Sequence, residues 1–113
     1  MTEDSVRIDL DTEIRGSESR KPWPSAKQAK TLVNKDGLRL VLFTMEQGAT
    51  INEHQADGPI TVHVLRGEIR FRAQDQEHSL RAGQLLTLGP SIRHAVESVG
   101  ESAFLLTISR PNI

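Results

Sequence analysis

Apolar residues in this chain fall in short runs closed by turn-forming residues, and the texture changes near residue 31. Residues 31–33, a turn over 34–37 and the apolar run 38–45 predict strand, turn, strand, with Asp36 and Gly37 as the turn residues. Residues 60–65 are rich in β-branched side chains and stop at Arg66 and Gly67. The next five residues alternate, which predicts a hairpin with Ile69 and Phe71 inward and Arg70 and Arg72 outward. Residues 73–78 read as a polar turn, and 84–88, 94–98 and 102–109 as further strands, the last stopped by Pro111. No helical period persists for ten residues. Short strands with turn signals recurring about every 8 to 12 residues indicate an all-β sandwich or barrel.

The first thirty residues are polar and carry no sustained period. Residues 16–25 contain Gly16, Pro22 and Pro24 among small polar residues, a breaker-rich connector. The region is therefore expected to be an extended arm over residues 1–30, with one short strand near 6–8 and at most a helical turn at 25–30. Trp23, the single tryptophan, is expected to anchor this arm to the body or to a second subunit. A single β-barrel domain is expected over residues 31–113.

Composition narrows the function classes. Fourteen basic against fifteen acidic residues leave a formal charge of −1, without the basic excess of a nucleic-acid footprint. The absence of cysteine excludes disulfides, thiolate metal sites and a cysteine nucleophile. The N-terminal residues are acidic where a secretory signal needs basic ones, and no apolar run approaches a membrane span. No nucleic-acid or membrane partner is expected, and a cytoplasmic location is.

Two glycine-opened segments each deliver one histidine. Gly48 is followed after five residues by His54, and Gly67 closes that segment. Gly83 opens the second, which carries Gly89, Pro90 and Ser91 before His94. At these residues the chain resembles the cupin superfamily of small jelly-roll β-barrels, over about residues 38–108. That family's first motif has a second histidine where this chain has Ala56 and a glutamate where it has Ile60. In the second motif Ser98 replaces an asparagine. The resemblance implies a cupin-type jelly-roll β-barrel with the extended N-terminal arm, and brings His54 and His94 into one pocket. Small single-domain bacterial cupins of unassigned activity are the nearest likeness. Fold alone supplies no function.

In metal-bearing cupins the motif residues hold Fe, Mn, Ni or Zn. Here only His54 and His94 remain of that set, so the resemblance implies at most one weakly held divalent metal. Strand parity puts Ile60, Val62 and Val64 inward and His63 outward, toward solvent or a partner sheet. Asn52 shares the parity of His54 and is expected to line the pocket with Ala56, Ile60 and Val62. His78 reads as a turn residue, and Arg39, Arg70, Arg72 and Arg81 as solvated surface charges. Arg93, beside His94, is sent outward by alternation. The absence of tyrosine excludes an epimerase using a His base with a Tyr acid, and the absence of cysteine a thiol-assisted dioxygenase.

Three readings remain open. The leading one is a homodimeric cupin binding a small molecule in the barrel; catalytic residues are not assigned. The second is a metal-dependent oxygenase or isomerase acting on a small organic acid or ketone. The third is a non-catalytic structural or partner-binding β-module, which requires a barrel with no cavity. Dimerisation is expected because residues 38–43 and 60–65 are apolar on both parities and need cover outside the barrel.

Overall fold

Alternation in the sequence becomes two facing antiparallel sheets in the computed structural model, which describes residues 5–110. The strands are β1 (Lys27–Lys35), β2 (Leu38–Met45), β3 (Thr50–His54), β4 (Ile60–Arg66), β5 (Glu68–Ala73), β6 (Gln76–Arg81), β7 (Leu85–Leu88), β8 (His94–Ser98) and β9 (Ser102–Ser109). One sheet has the order β1-β2-β9-β4-β7 and the other β3-β8-β5-β6. Strands distant in sequence thus lie side by side, the jelly-roll arrangement. Pro111, expected to end the last strand, lies outside the described residues.

Inward residues of both sheets fuse into one core. Val62, Val64 and Phe104 from the first sheet meet Ile69, Phe71 and Val96 from the second. Val64 and Ile69 have no exposed surface, and Phe71 only 1%. Arg70 and Arg72 alternate with Ile69 and Phe71 and are exposed, as the period-two pattern demands. Phe43 stacks on Phe104 with ring centroids 4.9 Å apart. Hairpin geometry at residues 35–38 follows from Asp36 and Gly37, both at positive φ (55° and 80°), the two-residue turn that matches strand twist. Gly67 (φ +71°) is required for a second reason: a Cβ there would lie 2.0 Å from the Glu101 carbonyl oxygen.

The N-terminal region differs from expectation. Residues 6–8 form no strand, and Leu10–Glu18 is an α-helix, α1. Its start is set by Asp9, whose carboxylate accepts the Thr12 N–H at 3.1 Å, with Asp11 and Glu13 favourably placed in the first turn. Only Leu10 and Ile14 are apolar in it, so periodicity alone did not reveal it. Ile14 packs with Leu42 and Ala103 on the outer face of the five-stranded sheet. Trp23 is buried, and its indole N–H donates to the Ser17 carbonyl at 2.9 Å, tying the segment after α1 to the helix. Lys30 pairs with Glu13 at 2.6 Å and Arg66 with Asp11, which fixes α1 to β1 and β4.

Two smaller corrections concern strands. Residues 25–30 make no helical turn: β1 starts at Lys27 and pairs with β2 from Lys27 to Lys35, with one irregularity at Leu32. Residues 73–78 are mostly strand, because the turn is only Gln74 and Asp75, both at positive φ, and β6 begins at Gln76. His78 is accordingly no turn residue. It pairs with Phe71 across β5 and β6 and is half-buried.

Candidate ligand and metal site in the barrel

His54 reaches the interior through a β-bulge. In the β3–β8 ladder Ile51 pairs with Val96 and His54 with His94, so two residues on β3, Asn52 and Glu53, oppose one on β8, Ala95. The extra residue lets Ile51 and His54 both face inward, although their separation is odd. His94 opens β8 on its buried parity with Val96 and Ser98, and is itself 3% exposed. The loop after His54 and the loop before His94 are tied together, since the Ser91 N–H donates to the Ala56 carbonyl at 2.8 Å. Arg93 points outward, as expected, and pairs with Glu53 at 2.6 Å.

The two imidazoles meet edge to face, with Nε2 of His94 3.1 Å from Nε2 of His54. Nδ1 of His54 lies 3.0 Å from the Asn52 carbonyl, and Nδ1 of His94 lies 2.9 Å from that of Ile92. Carbonyls only accept, so both Nδ1 atoms are the donors there. Three contacts then need three protons, while two neutral rings supply two. With both rings neutral, two Nε2 lone pairs face each other, and a positive ion between or beside them relieves that repulsion. A third proton does so, and so does a metal ion. Burial, the largest influence, and the nearby His54 push the His94 pKa below its ordinary 6.5, against the Ile92 carbonyl, which raises it.

The donor set suits a metal in its chemistry. Imidazole nitrogens bind Zn at about 2.0–2.1 Å, which puts adjacent ligand nitrogens about 3 Å apart. Anchoring Nδ1 on a carbonyl fixes the tautomer a metal-binding Nε2 needs. Among the described residues no third His, Cys, Asp or Glu joins the pair. Any ion held here therefore takes its remaining ligands from water or from a bound molecule.

Beside the pair opens a cavity of about 440 Å³, whose lining includes His54, His94, Ala56 and Ile60. Val62 sits deeper, in a cleft of about 10 Å³ under the histidines with Phe71 and Phe104. The structure thus brings together five of the six residues expected around the pocket. Asn52 is the exception. Because the bulge intervenes, its side chain lines a depression with Arg70, Arg72 and Glu97 on the outer face of the four-stranded sheet. Only its backbone carbonyl serves the site.

Sequence reasoning missed Arg39, Arg110 and Thr31, which line the same cavity. Arg39 is exposed, as expected of a surface charge, and its side chain also lines the cavity. The signal was its parity: Arg39 alternates with Val41, Phe43 and Met45, all of which pack into the core. Arg110 similarly continues the inward set Phe104, Leu106 and Ile108.

Comparison with known proteins agrees with this architecture. A family model described as "Cupin domain" matches residues 41–109. No curated protein matches the sequence. The conserved SPY1581 protein of unknown function from Streptococcus pyogenes superposes with a TM-score of 0.78 at 22% identity, over 99% of this chain and 93% of that one. A cupin superfamily protein from Desulfitobacterium hafniense gives 0.72 at 21% identity, over 81% and 93%. KdgF from Halomonas sp. gives 0.70 at 17% identity, over 82% and 86%. No helix among the described residues is long and apolar enough to cross a membrane. With the family model covering more than half of its length and both sheets in place, the chain belongs to the cupin family.

Proposed function

We propose that this cupin binds a small molecule in the barrel, with His54 and His94 at the inner end of the site holding a weakly bound divalent cation. One observation carries the reading: two Nε2 atoms converge at 3.1 Å where an open cavity of about 440 Å³ meets the core. Cavities of this size are typical of small-molecule sites. A purely structural module would fill this space, and Val62, Val64, Ile69 and Phe71 fill only the barrel beneath it.

His94 is held by Phe71 and the Ile92 carbonyl and serves as the fixed ligand. His54 is exposed and serves as the adjustable one. A bound ion would supply Lewis acidity toward a water held beside the small molecule. The chain's own contribution is to orient both rings and to line the cavity with aliphatic side chains. A homodimer formed through the outer face of the five-stranded sheet completes the proposal.

The test is equilibrium dialysis against Mn²⁺, Fe²⁺, Ni²⁺ and Zn²⁺, followed by elemental analysis. Retention near one equivalent of at least one ion, lost in both His54→Ala and His94→Ala, supports the cation site. No retention at millimolar metal removes it.

A further inference from the structure

We propose that the small molecule is a carboxylate with an apolar body, its anionic head held between Arg39 and Arg110 at the mouth of the cavity. This rests on the reading of the cavity as a ligand site and adds the chemical class. Seven arginines lie on the barrel from β1 onward. Five are paired with acids: Arg66 with Asp11, Arg70 with Glu97, Arg72 with Glu77, Arg81 with Glu68 and Arg93 with Glu53. Arg39 and Arg110 have no ion-pair partner among the described residues, and these are the two that line the cavity.

Their placement is built by the sheet. Arg39 pairs with Ile108 across β2 and β9, and Arg110 follows Ile108 by two residues, on the same face. The Arg110 N–H donates to the Gly37 carbonyl at 2.7 Å, which holds the end of β9 against the β1–β2 turn. Both arginines therefore line this one cavity, with Thr31 on the neighbouring strand. Asp57, from the β3–β4 segment, is the single carboxylate in the lining, so the mouth carries a net positive charge with both imidazoles neutral. Guanidinium is the side chain best matched to a planar two-oxygen anion.

The walls decide between anions. Val41, Phe43, Leu106 and Ile108 lie between the arginines and the histidines. Inorganic phosphate would leave this apolar surface wet. A monocarboxylate with an aliphatic or aromatic body covers it, and places its far end toward His54 and His94.

The experiment is an amide-shift titration of the ¹⁵N-labelled chain with butyrate, hexanoate and benzoate, with their amides and with inorganic phosphate. At least one acid is expected to saturate shifts in β2, β9 and residues 54–57. Its amide and phosphate are expected to bind about tenfold more weakly or worse, the amide because it lacks the charge-assisted hydrogen bonds to the arginines. Arg39→Gln and Arg110→Gln should each weaken the acid by a similar factor, their spectra otherwise unchanged. Equal binding of acid and amide, or undiminished binding by both variants, overturns the carboxylate assignment and leaves the cavity a ligand site. Failure of every acid and every amide overturns the assignment together with the ligand-site reading.

Discussion

The His94 ring lies nearly flat against Phe71, with centroids 5.2 Å apart and planes 16° from parallel. The contact removes water from one face of the imidazole, and it is this burial that lowers the His94 pKa from 6.5. In the unfolded chain the ring returns to about 6.5 and takes up a proton that the folded chain resists. Below that pH the unfolded state binds more protons, so folding stability falls as pH is lowered and is fully present above it. Melting temperature should thus decline from about pH 6.5 downward, and His94→Gln should flatten that decline. An unchanged slope in the variant would contradict the assignment.

Trp23 and Ser17 clasp the helix that covers one end of the outer face. The indole is 8% exposed, donates to the Ser17 carbonyl, and carries Lys21 Nζ 4.8 Å from its ring centre. Trp23→Phe keeps most of the burial and is expected to cost about 1 kcal/mol for the lost hydrogen bond. Trp23→Ala is expected to cost about 3–5 kcal/mol. Urea unfolding followed by far-ultraviolet circular dichroism measures both. A cost below about 1 kcal/mol for the alanine variant would show that α1 docks on the barrel without help from Trp23.

On the outer face of the five-stranded sheet, α1 covers Leu42 and Ala103 but leaves the next positions open. Leu105, His63 and Leu85 form one cross-strand row there, and Leu85 is 57% exposed. Leu38, 43% exposed, adds to the same side. An apolar row of this kind is expected to seat a second copy. Light scattering on a sizing column should give twice the chain mass, and Leu85→Glu should give a folded monomer. A wild-type mass of 12.6 kDa at micromolar concentration would contradict the dimer.

Legibility in the sequence tracked the period of the pattern. Ile69 and Phe71 alternate with arginines over a regular hairpin, and their orientation was readable from parity alone. His54 and His94 were readable through the glycine spacings that resemble the cupin motifs. Asn52 was misplaced because parity fails across a bulge, and a bulge leaves no mark in two-residue alternation. The helix escaped because its docking uses Ile14 and Ser17 rather than an apolar stripe. Arg39 is an exposed charge, as its residue type suggests, and its place in the cavity lining was visible only in its parity with Val41. Arg110 gains meaning only when β9 lies against β2, a neighbour relation between strands more than fifty residues apart.

A shared cation site requires the convergence of His54 Nε2 and His94 Nε2, and histidine ¹⁵N shifts measure it directly. Long-range ¹H–¹⁵N spectra of the labelled chain should show both rings protonated at Nδ1 near neutral pH, with both Nε2 signals free of a bound proton. Adding Zn²⁺ should shift the two Nε2 signals together and saturate near one equivalent, while His63 and His78 stay unmoved. Nε2 signals that move separately, or that stay fixed at millimolar Zn²⁺, would contradict a shared site.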